Sequence, residues 1–156
     1  MPQPAHPAAI NGLTLAQAET IADAALAKGR ALGLLPLCVV VLDAGGQLKV
    51  AKREDGASIL RPEIATGKAF GALAMGFGTR ELARRAQAVP GFTNALSDLS
   101  GGKAVPAQGG VLVRDPQTMA LLGAVGISGD VSAKDEECCI AGIEAAGLFP
   151  DTGDPA

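Results

Sequence analysis

Tryptophan and tyrosine are absent from these 156 residues, and four phenylalanines are the only aromatic side chains. Nucleic-acid binding draws on a basic face, usually with aromatic rings to stack on single strands. Here 13 basic residues stand against 16 acidic ones, for a net charge of −3, and neither sign collects into a block. Nucleic acid is therefore not an expected partner. Histidine is nearly missing too: His6, between Pro4 and Pro7, is the only one. A mechanism built on a core imidazole, as triad base, zinc ligand or proton shuttle, is excluded unless the N-terminal segment folds back over a site. Three cysteines, an odd count without C-x-x-C spacing, argue against both a disulfide framework and a zinc site. No apolar run approaches the roughly 20 residues of a membrane span. The N-terminus does not show a basic segment leading into an apolar one. The expectation is a soluble, cytoplasmic chain with no membrane partner.

What the chain has in quantity is small residues. With 21 glycines and 48% hydrophobic content, the core must be built from Ala, Val, Leu and Ile on backbones that approach closely. A chain this long buries roughly 68–70% of its unfolded surface, enough for one core without staples. The reading is one domain over residues 13–147, between a flexible tail at 1–12 and a second tail at 148–156.

Thr14 and Gln17 form a capping box that starts an amphipathic helix ending near Gly33, with Leu15, Ala18, Ala22, Ala25, Gly29 and Leu32 on one face. The apolar run 37–42, the turn 43–46 and the alternating segment 47–53 predict a hairpin whose first strand is buried on both faces. Pro62 starts a second helix to about Phe77, and Thr79 caps a third over 80–87. Residues 90–102 read as a long loop with one helical turn, a candidate lid. A second hairpin follows, its last strand running from Met119 to Ser128, and then a helix from Ser132 to about Ala146. This order predicts an α+β fold, an α/β/α sandwich on an antiparallel sheet. It lacks β-α-β alternation, and G-x-x-G-x-x-G over 123–129 has the wrong spacing for a dinucleotide fingerprint.

The stretch 123–137 draws the functional reading. A strand feeds a glycine turn at Ser128 and Gly129 and then a helix N-terminus, a junction whose free N–H groups and dipole can hold an anionic or carbonyl group. The alternative is that Gly126 and Gly129 only permit a bend while Ser132 caps the helix. Asp135 and Glu136 lie in the first turn, where the dipole favours carboxylates whether or not they do acid–base work. Lys68 sits in a helix of small, apolar residues. It is either a desolvated base, Schiff-base former or carboxylate ligand, or a lysine that snorkels to water. Arg53 and Asp55 flank a turn, as ligand contacts or as a solvated loop end. Gly109 and Gly110 bring backbone close to a ligand or form a bulge. Cys138 and Cys139 point about 100° apart on a helix, so at most one faces inward.

Taken together, the segments 40–46, 53–57, 68–70, 78–83, 108–115 and 123–136 resemble the GlcG/HbpS family, itself similar to the C-terminal domain of PduO-type corrinoid adenosyltransferases. The resemblance covers about Leu13 to Gly147. It implies a profilin-like α/β/α sandwich on a roughly five-stranded antiparallel sheet, assembling as a homo-oligomer. It also implies haem binding or degradation, or a place beside the catabolism of small organic acids. An axial haem ligand from His or Thr would fall on Thr79. The expected function is thus binding of a small ligand, haem or another tetrapyrrole, with Arg53, Asp55, Lys68, Gly109, Gly110, Ser128 and Gly129 as contacts. The alternatives are a cofactor-independent lyase, isomerase or hydrolase for a small carboxylate or aromatic compound, using Lys68 with Asp135 or Glu136, and an interaction module whose product is an oligomer.

Overall fold

A computed structural model of the chain describes residues 12–154. The expected tail at 1–12, with His6, lies outside the described residues apart from Gly12. The elements run α1 (Leu15–Ala31), β1 (Cys38–Asp43), β2 (Leu48–Arg53), α2 (Arg61–Met75), α3 (Thr79–Ala88), α4 (Pro90–Leu99), β3 (Gly110–Arg114), β4 (Leu121–Ser128), α5 (Ser132–Ala145) and β5 (Phe149–Asp151). The sheet order is β2-β1-β4-β3-β5, antiparallel at every pairing. The α+β sandwich expected from the sequence is what forms.

Strand β1 shows why there are three layers. Side chains alternate across a sheet, so Val39 and Val41 join one core with Ile21, Ala22 and Ala25 of α1 and Cys138, Cys139 and Ile143 of α5. Cys38, Val40 and Leu42 join the other, with Ala65, Ala69 and Ala72 of α2. Ala at four- and three-residue spacing gives α2 a flat face with almost no side-chain height. The helix settles onto the glycines of the sheet: a Cβ on Gly126 would lie 1.9 Å from the carbonyl oxygen of Ala65, and one on Gly110 would lie 2.3 Å from that of Lys68.

The capping box forms as expected, with Gln17 N donating to Thr14 Oγ1 at 3.1 Å and Thr14 N donating to Gln17 Oε1 at 3.0 Å. On α1, however, Ile21 joins the buried face and Leu15 is exposed. Other expectations are corrected. Residues 90–99 are a ten-residue helix, not a loop: Pro90 supplies a fixed φ in the first turn. Thr79 does not cap α3, because Gly78 is the N-cap and the threonine lies inside the helix. Ser132 likewise makes no cap, the N-cap being Val131. Strand β4 begins at Leu121 rather than Met119, which adopts φ +60° in the turn before it. Where a tail was expected beyond residue 147, Phe149–Asp151 add an edge strand against β3, held by Arg114 Nε on Asp151 Oδ2 at 2.7 Å.

On α3, Glu81 accepts from Arg84 Nε and Nη2 at 2.6 and 2.7 Å and from Arg85 Nε at 2.6 Å. These bonds pull its carboxyl from 4.5 down to about 2. A carboxyl lowered in the native state stabilises it above the ordinary value and loses that contribution as the pH falls through the native one. Glu81→Gln should therefore flatten part of the acid limb of the stability profile between pH 4.5 and about 2, as read by urea midpoints across that range. An unchanged limb would show that the two arginines do not hold this carboxylate in solution.

Candidate functional site

Lys68, Gly109, Gly110, Ser128, Gly129 and Asp135 lie at one end of the sheet, where β1 and β3 begin and β2 and β4 finish. Lys68 comes from the α2 layer and Asp135 from the α5 layer, and they meet across the edge of the sheet. Lys68 Nζ lies 2.9 Å from Asp135 Oδ2 and donates also to the carbonyl of Ile127 at 2.8 Å. Gly109 makes the passage. It has φ +103°, and a Cβ there would stand 3.0 Å from Lys68 Nζ, from Asp135 Cβ and from the Ile127 oxygen. Both charged residues are buried, at 2% and 1% exposure. Burial pushes the Asp135 carboxyl up, against the pull of the Lys68 ammonium and the Asp130 N–H.

At the strand-to-helix corner several groups are partnered by the protein itself. Asp130 N donates to Asp135 Oδ1 at 3.1 Å, Val131 N to Asp130 Oδ1 at 2.7 Å, and Leu35 N to Asp130 Oδ2 at 2.9 Å. Gly129 packs on residues 36 and 37, its Cβ position 2.5 Å from the Pro36 oxygen, and Ser128 Oγ accepts from Arg61 Nη1 at 3.0 Å. Gly129 permits the bend, and these N–H groups of the corner find their partners within the chain.

Glu136, one residue on, does not join Lys68. It is buried against Arg80, whose Nε donates to Glu136 Oε1 at 2.9 Å and whose guanidinium also reaches Asp154. Its other oxygen, Oε2, is buried with no partner among the described residues. Thr79, fully buried, accepts from Gly110 N at 2.8 Å and donates to Gly110 O at 3.2 Å. Its hydroxyl ties α3 to the start of β3. The thiols of Cys38, Cys138 and Cys139 are buried and pushed upward by desolvation, Cys138 to about 11. Protonated and enclosed, they are packing groups.

Arg53 and Asp55 stand apart from Lys68. They line a groove of about 440 Å³ with Arg30, Pro36 and Glu54, and Arg53 Nη1 donates to Ala57 O at 2.6 Å.

The larger cleft, about 650 Å³, opens at the opposite end of the sheet and includes none of the residues chosen from the sequence. One wall is the α2 face at Glu63, Thr66 and Phe70. The floor is Leu42 and the β1–β2 turn at Gly45, Gly46 and Gln47, and the far side is Gly102 and Lys103. Its size falls within the 300–1,000 Å³ range usual for small-molecule sites. Lys103 Nζ stands 6.0 Å from the centroid of the Phe70 ring, so a cation borders the apolar wall. The sequence signal available was Asp43-Ala44-Gly45-Gly46, which reads as a turn and reveals nothing of what packs opposite.

Fold and site together define an α/β/α protein on a five-stranded antiparallel sheet, tied at one end by a buried ion pair and open at the other as a cleft. The family model described as "Haem degrading protein HbpS-like" matches residues 13–144, and the chain belongs to that family. Among solved structures it is similar to the PduOC:haem complex, at 28% identity and TM-score 0.80 over 90% of this chain and 99% of that one. A double mutant of Streptomyces reticuli HbpS is also 28% identical, with TM-score 0.75 over 92% and 95%. Klebsiella pneumoniae ORFY shares the fold at 24% identity, TM-score 0.80, over 94% and 97%. None of the curated proteins matches. No helix among the described residues is long and apolar enough to cross a membrane.

Proposed function

We propose that this chain is a small-ligand-binding protein whose ligand is haem or a related tetrapyrrole, held in the 650 Å³ cleft. The observation that carries the reading is the likeness to the PduOC:haem complex along nearly the whole of both chains. Family membership supports it. The cleft contributes an apolar wall at Leu42 and Phe70 for a flat ring and an ammonium at Lys103 for a carboxylate. Iron is a different matter. Haem proteins hold it with imidazole, thiolate, thioether or phenolate, and the cleft lining has none of these side chains. The residues present fit the macrocycle and not its axial ligation, so they give no route to a degradative step through iron.

The family resemblance also supports a cytoplasmic homo-oligomer working beside small-organic-acid catabolism. The enzymatic alternative would need Lys68 with a free amine open to substrate, whereas this lysine is buried in an ion pair. Hemin titration should give a saturable Soret change with one haem per chain, and native mass spectrometry of the same sample should show the ratio and the subunit number. Lys103→Glu should weaken binding by about three- to tenfold, the scale expected when a single solvent-exposed charge beside the ligand changes sign. Unsaturable uptake indifferent to that change would remove the proposal.

A further inference from the structure

The mismatch between the cleft and iron chemistry says more about the ligand. We infer that the cleft recognises the tetrapyrrole ring and its carboxylates rather than the metal, so that metal-free and other-metal porphyrins are ligands on equal terms with haem; this rests on the tetrapyrrole reading above. Selectivity for the iron complex requires a side chain that bonds to iron, because the rings of haem and protoporphyrin are otherwise alike in shape, apolar area and propionates. The polar groups in the cleft are the carboxylate of Glu63, the hydroxyl of Thr66, the amide of Gln47 and the ammonium of Lys103. Among the described residues the softer donors are placed elsewhere. All three cysteines are in the two cores, Met75 and Met119 are outside the cleft lining, and Thr79 is bonded at both ends to Gly110.

What the cleft does contain suits a planar ring whose carboxylates are turned toward Lys103 and away from Glu63. Phe70 offers an edge or face to a conjugated ring, an arrangement aromatic pairs favour. Gly46, with φ +79°, lies close to this ring: a Cβ there would stand 4.0 Å from Phe70 Cδ2, ordinary contact distance, so a conjugated ligand would meet the part of Phe70 that the turn leaves open rather than slip between turn and helix. Lys103, its Nζ over the Phe70 ring 6.0 Å from the centroid, is where a propionate would find its counter-charge. Each of these contacts is blind to what sits at the centre of the macrocycle.

The test titrates the full chain with hemin, metal-free protoporphyrin IX and zinc protoporphyrin IX, reading absorbance for the first and fluorescence for the others. Expected are three dissociation constants within about threefold of one another, well under the tenfold that 1.4 kcal/mol would produce. Lys103→Glu, at an exposed position, should weaken all three by a common factor, and Phe70→Leu should do the same while keeping an apolar side chain. Hemin binding at least about tenfold tighter than the metal-free ring would overturn the inference and leave the proposed function standing. His6→Ala abolishing that preference would then locate the iron ligand in the N-terminal segment. Failure of all three porphyrins to bind saturably would overturn both.

Discussion

Lys68→Met should cost the folded state about 3–5 kcal/mol, the usual consequence of stranding one charge of a buried pair. Lys68 and Asp135 are the two ends of a tie between the α2 and α5 layers, 2.9 Å apart and out of solvent. Without the ammonium, Asp135 keeps only the Asp130 N–H at 3.1 Å, too little to offset the loss of water around a carboxylate. The carboxyl would then take up a proton. Burial already raises Asp135 above its ordinary 3.8. A group whose native value is raised holds a proton that the unfolded chain has released, so stability falls as the pH climbs through that window. The single variant should therefore be steeply less stable at pH 7 than at pH 5, by urea midpoint, while the parent changes less. Adding Asp135→Asn removes the charge and keeps an oxygen for Asp130 N–H, and should restore at least half of the loss, the coupling expected of residues in direct contact. Hemin affinity of the double variant should match the parent, since neither side chain of the pair lines the cleft. A Lys68→Met protein with parental stability would show that the two layers are joined by packing alone, and absence of hemin binding in a stable double variant would return Lys68 to the ligand site.

How much of this was legible depends on whether a signal was local. The Thr14 and Gln17 box, the two-sided burial of β1 and the order of helices and strands follow from neighbours in the chain, and they formed. Lys68 and Asp135 each stood out, one as a cation among small residues and the other in a helix first turn, but they lie 67 positions apart. Nothing local says that Gly109 leaves them room to meet. Glu136 looks equivalent to Asp135 in sequence, yet it sits one position further round the helix and faces Arg80 instead. Helix α4 was hidden because its glycine and Pro90 mimic turn signals and because Thr93 is its single buried residue, so it has almost no apolar stripe. Strand β5 is three residues with a central proline, which only a sheet edge tolerates. The cleft was the least legible of all: backbone at Gly45 and Gly46 and a phenylalanine from another element carry no chemistry until the fold sets them face to face.

Gly126→Ala should be the most damaging small substitution in the chain, costing about 3 kcal/mol or more, the upper range of overpacking effects. Gly126 is in the middle of β4, paired with Val40 on one side and Gly110 on the other. An added Cβ would lie 1.9 Å from the Ala65 oxygen, 2.8 Å from the Ala69 nitrogen and 2.9 Å from the Ala65 carbon. All three are backbone atoms of one rigid helix, so no side chain can rotate away. Helix α2 would have to lift, and the packing of Ala65, Ala69 and Ala72 on Val40, Leu42, Leu112 and Ala124 would open as a unit. Dispersion falls off so steeply that a gap of 0.5–1 Å already forfeits about a quarter to a half of each attraction. Because the same helix supplies Glu63, Thr66 and Phe70 to the cleft, whatever still folds should also bind hemin less tightly. Gly91→Ala is the matched control. It lies inside α4 with nothing within 4 Å of the added methyl, and should be neutral or gain about 0.5–1 kcal/mol from the better helix former. Thermal and urea unfolding of the two variants side by side would decide the matter: a Gly126→Ala protein as stable as Gly91→Ala would mean that α2 does not rest on the sheet as closely as its alanine face allows.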